Sequence, residues 1–581
     1  MNVALPSPFL LPRKRGLSWL SVLLERMLGL RQLDNYYRHR PVAANLDQFL
    51  DFALNALDVG YEVLGQGLDA VPQTGATVVV ANHPFGGVEG VLLGKLLRQR
   101  RGDVKILVND MLTRIPEMRE LFIPVSVLDP KAHARNASGL REANRHLKAG
   151  GLLLIFPAGM VASYDLRQRR VTERAWNRLA GHLVLRSQAA VVPMFIEGRN
   201  SVLFHLLGLV HFRLRTLLLP RQMLNRRGTT VRVHVGDPVT GPELSTLGDA
   251  DEMVRYLRLA TYLLPSREAI GKPLPLPRQL PLAPPVPREA LLDDLAALAP
   301  EHLMLRNGDI GVYCAPAEHL PAFLPELARL RELTFRAAGE GTGRAQDADR
   351  FDADYLHLFL WHELDHEIVG AYRIAATDKL VARRGLDGLY TRQLFRYDRA
   401  FLDSLGTSLE MGRSFVQPRY QRNPLALDLL WKGIGAYVSR HRQYTTLFGP
   451  VSISAEYSAF SRQLIMHCLS LHFGDSVRSG QVKPRRRLRE VKAPWSHDLL
   501  AVLTDERRLS RLIKRIEGDK SLPVLLRQYL NLSGRLICFH VDREFSNTLV
   551  GLIAVDLRRV EPRLLKRYLS PDAAQALIQG P

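Results

Sequence analysis

Residues 77–90 read TVVVANHPFGGVEG. Thr77 to Val80 form a short apolar run without polar alternation, as in a strand buried on both faces of an α/β sheet. Asn82 and His83 follow at its carboxyl end, where open α/β sheets bind ligands. Gly86 and Gly87 allow a sharp turn and close approach of a substrate. Glu89 then falls in the first turn of a helix that continues GVLLGKLLRQRR. A carboxylate there can accept a hydrogen bond from one imidazole nitrogen, leaving the other to take a proton from a hydroxyl. A helix-capping Asn82 beside a satisfied structural histidine is the plainer alternative.

The pattern repeats around this segment. Further strands are expected at VKILV (104–108), FIPVSV (122–127), LLLIF (152–156), VVPMFI (191–196) and TVRVHVG (230–236), with helices such as SGLREANRHLKAG between them. This alternation predicts an α/β domain over residues 61–270. The proline-rich stretch KPLPLPRQLPLAPPVPRE at 272–289 cannot form a helix or a central strand, so 271–290 reads as a semi-rigid linker. A second α/β domain is expected over 291–575. Its signals are the strand IGVYCA, a helix LPAFLPELARLRELTFRAAG, the strand pair YLHLFLWH and EIVGAYRIAA, a helix LALDLLWKGIGAYVSRH, the strand TTLFGPVSIS and a helix SAFSRQLIMHCLSLHF. A basic run KPRRRLREVK (483–492) precedes LPVLLRQYLNLSGRLICFHVD, which returns to helix and strand and completes this domain.

The chain has 581 residues, 46% of them apolar, with a net charge of +21. Such a charge favours polyanions: nucleic acid, anionic lipid or an acidic protein. No zinc-finger spacing, recognition helix or RNA-binding aromatic pattern is present, which argues against nucleic acid. Three dispersed cysteines indicate neither a disulfide framework nor a zinc knuckle, and they fit a reducing cytoplasm. Residues 1–60 read as amphipathic, membrane-associating helices rather than a signal peptide, because Glu25 and Arg26 break the apolar run. No segment has the roughly 18 uncharged apolar residues of a spanning helix. The stretch VLFHLLGLVHFRLRTLLLPRQMLNRR is studded with arginine and suits the surface of a membrane. WHELDHE contains a literal HExxH, but between two strand-like runs it reads as a polar hairpin, so no metal site is expected.

Three further segments fix a resemblance in the first half. LLLIF runs into FPAGMVAS (156–163), and VVPMFI runs into EGRNS (197–201). The series strand–NH…E, strand–FPxG, strand–EGRNS resembles the glycerolipid acyltransferase family, which transfers fatty acyl groups to lipid hydroxyls. The match covers roughly 70–240. The family's His and Asp are separated by four residues; here there are five, and Glu replaces Asp. The family's FPEG has Ala158 in place of its glutamate, which departs from the version that takes phosphate-bearing acceptors. NHPFGG, FPAG and EGRNS together look like the hemolysin-like or lyso-ornithine-lipid branch. The resemblance implies His83 as base and Glu89 as its orienting acid, with Asn82, Gly86, Gly87, Phe156, Pro157, Gly159 and Arg199 around the substrate.

The second half carries a distributed set: Arg336, then Asp352 and Asp354 in DRFDADYLHL, Arg373 in VGAYRI, and Glu410, Arg413 and Ser414 in LEMGRSFV. This layout resembles acyl-homoserine-lactone synthases and, more closely, ornithine N-acyltransferases of the acetyltransferase-like fold, over about residues 305–560. It implies Glu410 as the base for an amine, with Arg336, Asp352, Arg373, Arg413 and Ser414 binding substrate. Taken alone, Glu410 and Arg413 also suit an ordinary ion pair. No pyrophosphate loop precedes the LLWKGIGAY helix. Arg419 and Arg422 stand there, and with the helix N-terminus they suit a single phosphate. That points to an acyl donor on the phosphopantetheine of an acyl carrier protein, with no bound cofactor.

Together the resemblances imply two consecutive acylations in ornithine-lipid synthesis. The second domain N-acylates ornithine with a 3-hydroxyacyl chain, and the first O-acylates the resulting lyso-lipid. The expected setting is the cytoplasmic face of the inner membrane, bound peripherally to anionic lipid. The enzymatic alternative is a lysophospholipid acyltransferase fused to an N-acyltransferase for glycine or lysine. The alternatives of another class are a nucleic-acid-binding protein and a hemolysin-like membrane-active protein.

Overall fold

The computed structural model describes residues 7–10, 18–41, 44–125, 133–166, 169–267, 278–491, 493–518 and 520–579. The chain divides into two compact units, residues 1–269 with 494–502, and residues 270–493 with 503–581. The second expected domain is thus not one continuous stretch, because 494–502 belongs to the first unit. Trp495, Leu499 and Leu500 are buried there.

The first unit is built on a seven-stranded sheet. Its strands are β1 (Val59–Gly65), β2 (Thr77–Ala81), β3 (Val104–Asn109), β4 (Phe122–Val125), β5 (Leu152–Ile155), β6 (Ala190–Ile196) and β7 (Thr229–Val235). Their order is β1-β7-β6-β2-β5-β3-β4, parallel except between β6 and β7. All six expected strands form. Residues 126–127 of the expected FIPVSV strand lie outside the described residues. β2 is central and buried along its whole length. This places residues 82–87 at the carboxyl edge of the sheet, in the crevice where such sheets hold ligands.

The segment 1–60 departs from expectation. Leu33 and Tyr37 of the helix Leu30–Arg38, and Phe49, Leu50 and Leu54 of the helix Leu46–Ala56, lie in the core of the first unit. Val59 begins β1, which the sequence pattern did not reveal because polar Glu62 and two glycines interrupt it. Among the described residues of this segment, the helix Ser18–Met27 alone has a broad exposed apolar face, with Trp19, Leu23, Leu24 and Met27.

The second unit holds an eight-stranded sheet. Its strands are β8 (Leu303–Asn307), β9 (Ile310–Pro316), β10 (Leu356–His362), β11 (Glu367–Ala376), β12 (Ser408–Val416), β13 (Thr446–Ile453), β14 (Arg535–Asp542) and β15 (Thr548–Asp556), in the order β8-β9-β10-β11-β12-β13-β15-β14. All pairs are antiparallel except β12 with β13. That parallel pair is joined only where Ser408–Glu410 faces Thr446–Phe448. Beyond it β13 stays with β15, so the two strands part and leave an opening in the sheet. The helix Phe323–Ala337 packs Phe323, Leu327 and Leu330 onto Phe359, Trp361 and Phe415. On the helix Pro424–Arg440, Gly433 lies so close to Val312 and Leu358 that a Cβ would clash.

The described part of the proline-rich stretch is not a free spacer. Leu280 and Ala283 donate their N–H groups to Gly343 and Ala345 of the second unit, and Val286 donates to Glu326. The HExxH residues occupy the turn of the β10–β11 hairpin, with His362 opposite Glu367.

Candidate active sites

The turn after β2 is clamped at several points. Both polar groups of the buried Asn82 side chain are taken by Ile196 on β6: Nδ2 donates to its carbonyl at 2.9 Å, and Oδ1 accepts from its N–H at 2.6 Å. Asn82 therefore ties two strands together and is not free to touch a substrate. The His83 N–H donates to Glu173, whose other oxygen accepts from the Trp176 indole at 2.8 Å. The His83 carbonyl accepts from Ala162 N–H, just past the FPAG turn. Phe156 stacks on the imidazole at 4.7 Å between ring centroids.

Glu89 reaches His83. Its Oε1 lies 2.8 Å from Nδ1. The same oxygen accepts the N–H groups of Phe85 at 2.9 Å and Gly86 at 2.8 Å. The helix Val88–Arg98 begins one residue before Glu89, and its N-terminal dipole favours the negative charge. The extra spacer residue is absorbed by Gly86, whose φ of 121° is closed to ordinary side chains. A Cβ on Gly86 would meet Leu219, and one on Gly87 would meet Met223. Burial alone pulls the His83 pKa down, but the charge and hydrogen bond of Glu89 outweigh it, and the net direction is up. Glu89 is raised by burial and pulled down further by His83 and by backbone N–H groups, so it stays ionised. With Nδ1 held, the ring has a fixed tautomer and a fixed orientation, and Nε2 is the nitrogen left to exchange a proton.

The second unit assembles its charges differently. Arg331 gives both terminal nitrogens to Asp352 at 2.8 Å. Arg373, fully buried, donates to Asp349 at 2.5 Å and to Asp352 at 3.0 Å. Arg413 lies 3.3 Å from Asp347 and 3.4 Å from Asp349. Arg413 has φ 50°, beside a register shift between β11 and β12. The local irregularity redirects its side chain from the ladder onto the rings of Tyr390 and Phe545. Burial opposes the charge on Arg413, but the surrounding aspartates outweigh it and raise its pKa.

Two connected cavities lie beside this network. A polar cleft of about 500 Å³ is lined by residues that include Asp349, Tyr390, Arg413, Arg486 and Asp542. A slot of about 60 Å³ sits where β12 and β13 part, between Gly412, Arg413 and Ser414 on one side and Pro450 and Ser452 on the other. Tyr390, Leu394, Arg413, Asp542 and Phe545 line both.

Each half of the chain has known counterparts. Residues 34–271 match the family model described as Acyltransferase, and residues 330–432 match the Acetyltransferase (GNAT) domain. A glycine N(alpha)-acyltransferase of Bacteroides thetaiotaomicron is 31% identical over 44% of this chain and 80% of its own length. A lyso-glycine lipid O-acyltransferase of Phocaeicola vulgatus is 30% identical over 37% of this chain and 77% of its own length. The chain belongs to the lipid acyltransferases. An L-ornithine N(alpha)-acyltransferase of Brucella abortus is 26% identical over 45% of this chain and 87% of its own length.

The acyltransferase holds its sequence-expected residues in unequal positions. His83, Glu89, Gly86, Gly87 and Phe156 converge. Pro157 accepts the Asn177 N–H, and Gly159 turns the chain with φ 65°. The Arg199 side chain is exposed, and its carbonyl accepts from Arg226 at 2.6 Å. Arg336 is spent on Glu332 and on the carbonyls of Leu280 and Arg344. Arg419 pairs with Glu367 and Asp365, and Arg422 is exposed. Ser414 lines the slot.

Glu410 is the main surprise. Its carboxylate accepts the N–H groups of Thr391 at 2.7 Å and Tyr390 at 3.2 Å, together with the Tyr355 hydroxyl. It is 1% exposed and lines neither cavity. It anchors the 390–391 turn instead of facing a substrate. The residues missed from the sequence are Glu173, Trp176, Arg331, Asp347, Asp349 and Asp542. Only Asp349, the first residue of the DRFDAD segment, had any local signal.

Proposed function

We propose that the acyltransferase performs two consecutive acylations in the synthesis of an amino-acid lipid. The second unit joins a 3-hydroxyacyl chain to the α-amino group of an amino acid. The first unit then acylates the 3-hydroxyl. The observation that carries this is the pairing of one O-acyl-type base, His83 on Glu89 at 2.8 Å, with a separate amine-type site in the opening between β12 and β13. Relatives named for N-acylation and for O-acylation of glycine lipids support the same order.

In the first site His83 Nε2 removes the hydroxyl proton as the oxygen attacks an acyl thioester, and Glu89 stabilises the imidazolium that forms. Ornithine is supported by Glu544, a cleft carboxylate that forms no ion pair among the described residues and suits a second ammonium group. Glycine is the second reading, favoured by the 31% identity to a glycine enzyme against 26% for an ornithine enzyme. We place the donor on an acyl carrier protein, an acidic partner suited to the net charge of +21.

The enzyme's lipid partner is taken to be an anionic membrane surface, met peripherally from the cytoplasm. No helix among the described residues is long and apolar enough to cross a membrane. Val202, Leu203, Leu206 and Val210 are exposed on the helix Val202–Val210, and Leu217 follows on Phe212–Leu217. The next helix, Leu219–Leu224, brings Leu219 and Met223 against the glycines beside His83. Lipid mass spectrometry of a host expressing the protein, with ornithine or glycine supplied in turn, decides the acceptor. The expected result is a diacylated aminolipid with one of the two; no aminolipid with either overturns the proposal.

A further inference from the structure

The polar cleft also carries charges that form no ion pair with the Asp–Arg network among the described residues. Asp542 closes β14 at the boundary of cleft and slot. One of its oxygens accepts the N–H groups of Glu544 at 3.0 Å and Phe545 at 3.2 Å. No cation forms an ion pair with it among the described residues.

Three arginines stand close by. Arg543 follows Asp542 in the chain. Arg485 and Arg486 come from the basic run 483–492, which Lys483 and Pro484 fasten to Phe395 and Arg396 as a two-residue strand pair. Arg485 N–H donates to the Leu394 carbonyl at 3.0 Å. Arg486 N–H donates to His540 Nδ1 at 3.0 Å, and its carbonyl accepts from Val541 N–H at 3.0 Å. The run is thereby fixed next to the last residues of β14. The side chains of Arg485, Arg486 and Arg543 make no ion pair among the described residues, and all three line the cleft.

Arg485 gives Nε to the Arg392 carbonyl at 2.9 Å. A carboxylate and guanidinium groups that line one cleft without ion-pair partners are the complement of a zwitterion. We propose that this corner binds the amino-acid acceptor, with Arg485, Arg486 and Arg543 drawing its carboxylate and Asp542 acting as the base for its α-ammonium group. The proposal rests on the N-acylation reading above and identifies the base and carboxylate subsite that reading needs. Asp542 accepts one proton from the ammonium. The freed nitrogen forms a bond to the thioester carbonyl carbon, and the C–S bond breaks. The departing thiolate takes the proton held by Asp542, and the second nitrogen proton passes to water. Burial raises the Asp542 pKa, and nearby Arg413 partly opposes the rise. The cleft's other deep acids, Asp347 and Asp349, are committed to arginines. Glu410 is sealed away.

The test uses the full chain with a 3-hydroxyacyl carrier protein and the matching coenzyme A thioester as donors. Ornithine, glycine and the α-carboxamide of each serve as acceptors. Asp542→Asn is expected to lower kcat on the order of 100-fold and to abolish the acid limb of the pH profile, while Asp542→Glu recovers part of the rate. The double variant Arg486→Ala, Arg543→Ala changes exposed side chains and leaves folding intact. It is expected to raise KM for the amino acid about tenfold, equivalent to one lost charge-assisted contact, and to leave KM for the carboxamide unchanged. An unchanged pH profile in Asp542→Asn overturns the assignment of the base. Equal use of acid and carboxamide by the wild type overturns the arginine subsite. A wild type inert with every acceptor overturns the N-acylation reading itself, and this proposal with it.

Discussion

The two candidate sites of this acyltransferase gather their charged groups at opposite scales of the chain. In the first unit His83 and Glu89 are six residues apart. One turn, from β2 into the next helix, brings them together. In the second unit the charged groups run from Arg331 to Asp542 and meet only when five strands and two loops have formed. A local site depends on one turn, whereas a distributed site depends on the whole sheet.

That contrast predicts unequal responses to mutation. The largest effect is expected for His83→Ala. O-acylation should fall roughly 1,000-fold, within the range for a positioned acid–base group, while N-acylation continues and the monoacyl lipid accumulates in lipid extracts. A matching fall in N-acylation would break the separation of the two sites. Arg373→Met comes next. It leaves Asp349 and Asp352 short of a buried partner, which typically costs about 3–5 kcal/mol. Thermal unfolding should show the second unit melting earlier, with O-acylation preserved at low temperature.

Glu89→Gln should reduce O-acylation by about 100-fold, near the lower end of the same range, and should change its pH profile. His83 acts as a base only when neutral, and Glu89 raises its pKa. The wild-type rate should therefore fall on acidification at a pH above the ordinary histidine value of about 6.5. The glutamine variant should shift this limb to lower pH. A limb that stays in place would show that another group sets it. The smallest effect is expected for the double variant Leu206→Glu, Val210→Glu. Sedimentation with anionic vesicles should drop on the order of tenfold, since the loss of one buried CH₂ on each of two shallowly inserted side chains, about 0.8 kcal/mol apiece, is worth about 1.6 kcal/mol. Both activities on short-chain soluble substrates should persist.

The same contrast explains what could be read in advance. The strands of the first sheet are short apolar runs buried on both faces, and such runs are visible in the sequence. His83 and Glu89 share a turn, so spacing alone raised their pairing as a question, and the distance answers it. Glu173 was invisible because it reaches the His83 backbone from 90 positions away, through packing that no local pattern encodes. Glu410 misled for a related reason. Its motif predicts chemistry, but the fold surrounds its carboxylate with the N–H groups of the 390–391 turn. Asp542 carries no motif. Its position depends on the pairing of β14 with β15 and on the tail run that closes over it. The helices of residues 30–56 read as membrane elements in the sequence because amphipathic periodicity is the same whether the apolar face meets lipid or protein.

The return of residues 494–502 to the first unit bears on how the two activities can be inherited or engineered. Cutting the chain within 272–289 does not yield two self-sufficient halves. The second fragment would keep Trp495, Leu499 and Leu500, which are buried in the first unit, and would expose them. The first fragment would lack them. The first unit is built from two separated stretches of chain, so a clean fission needs a second cut and a rejoining.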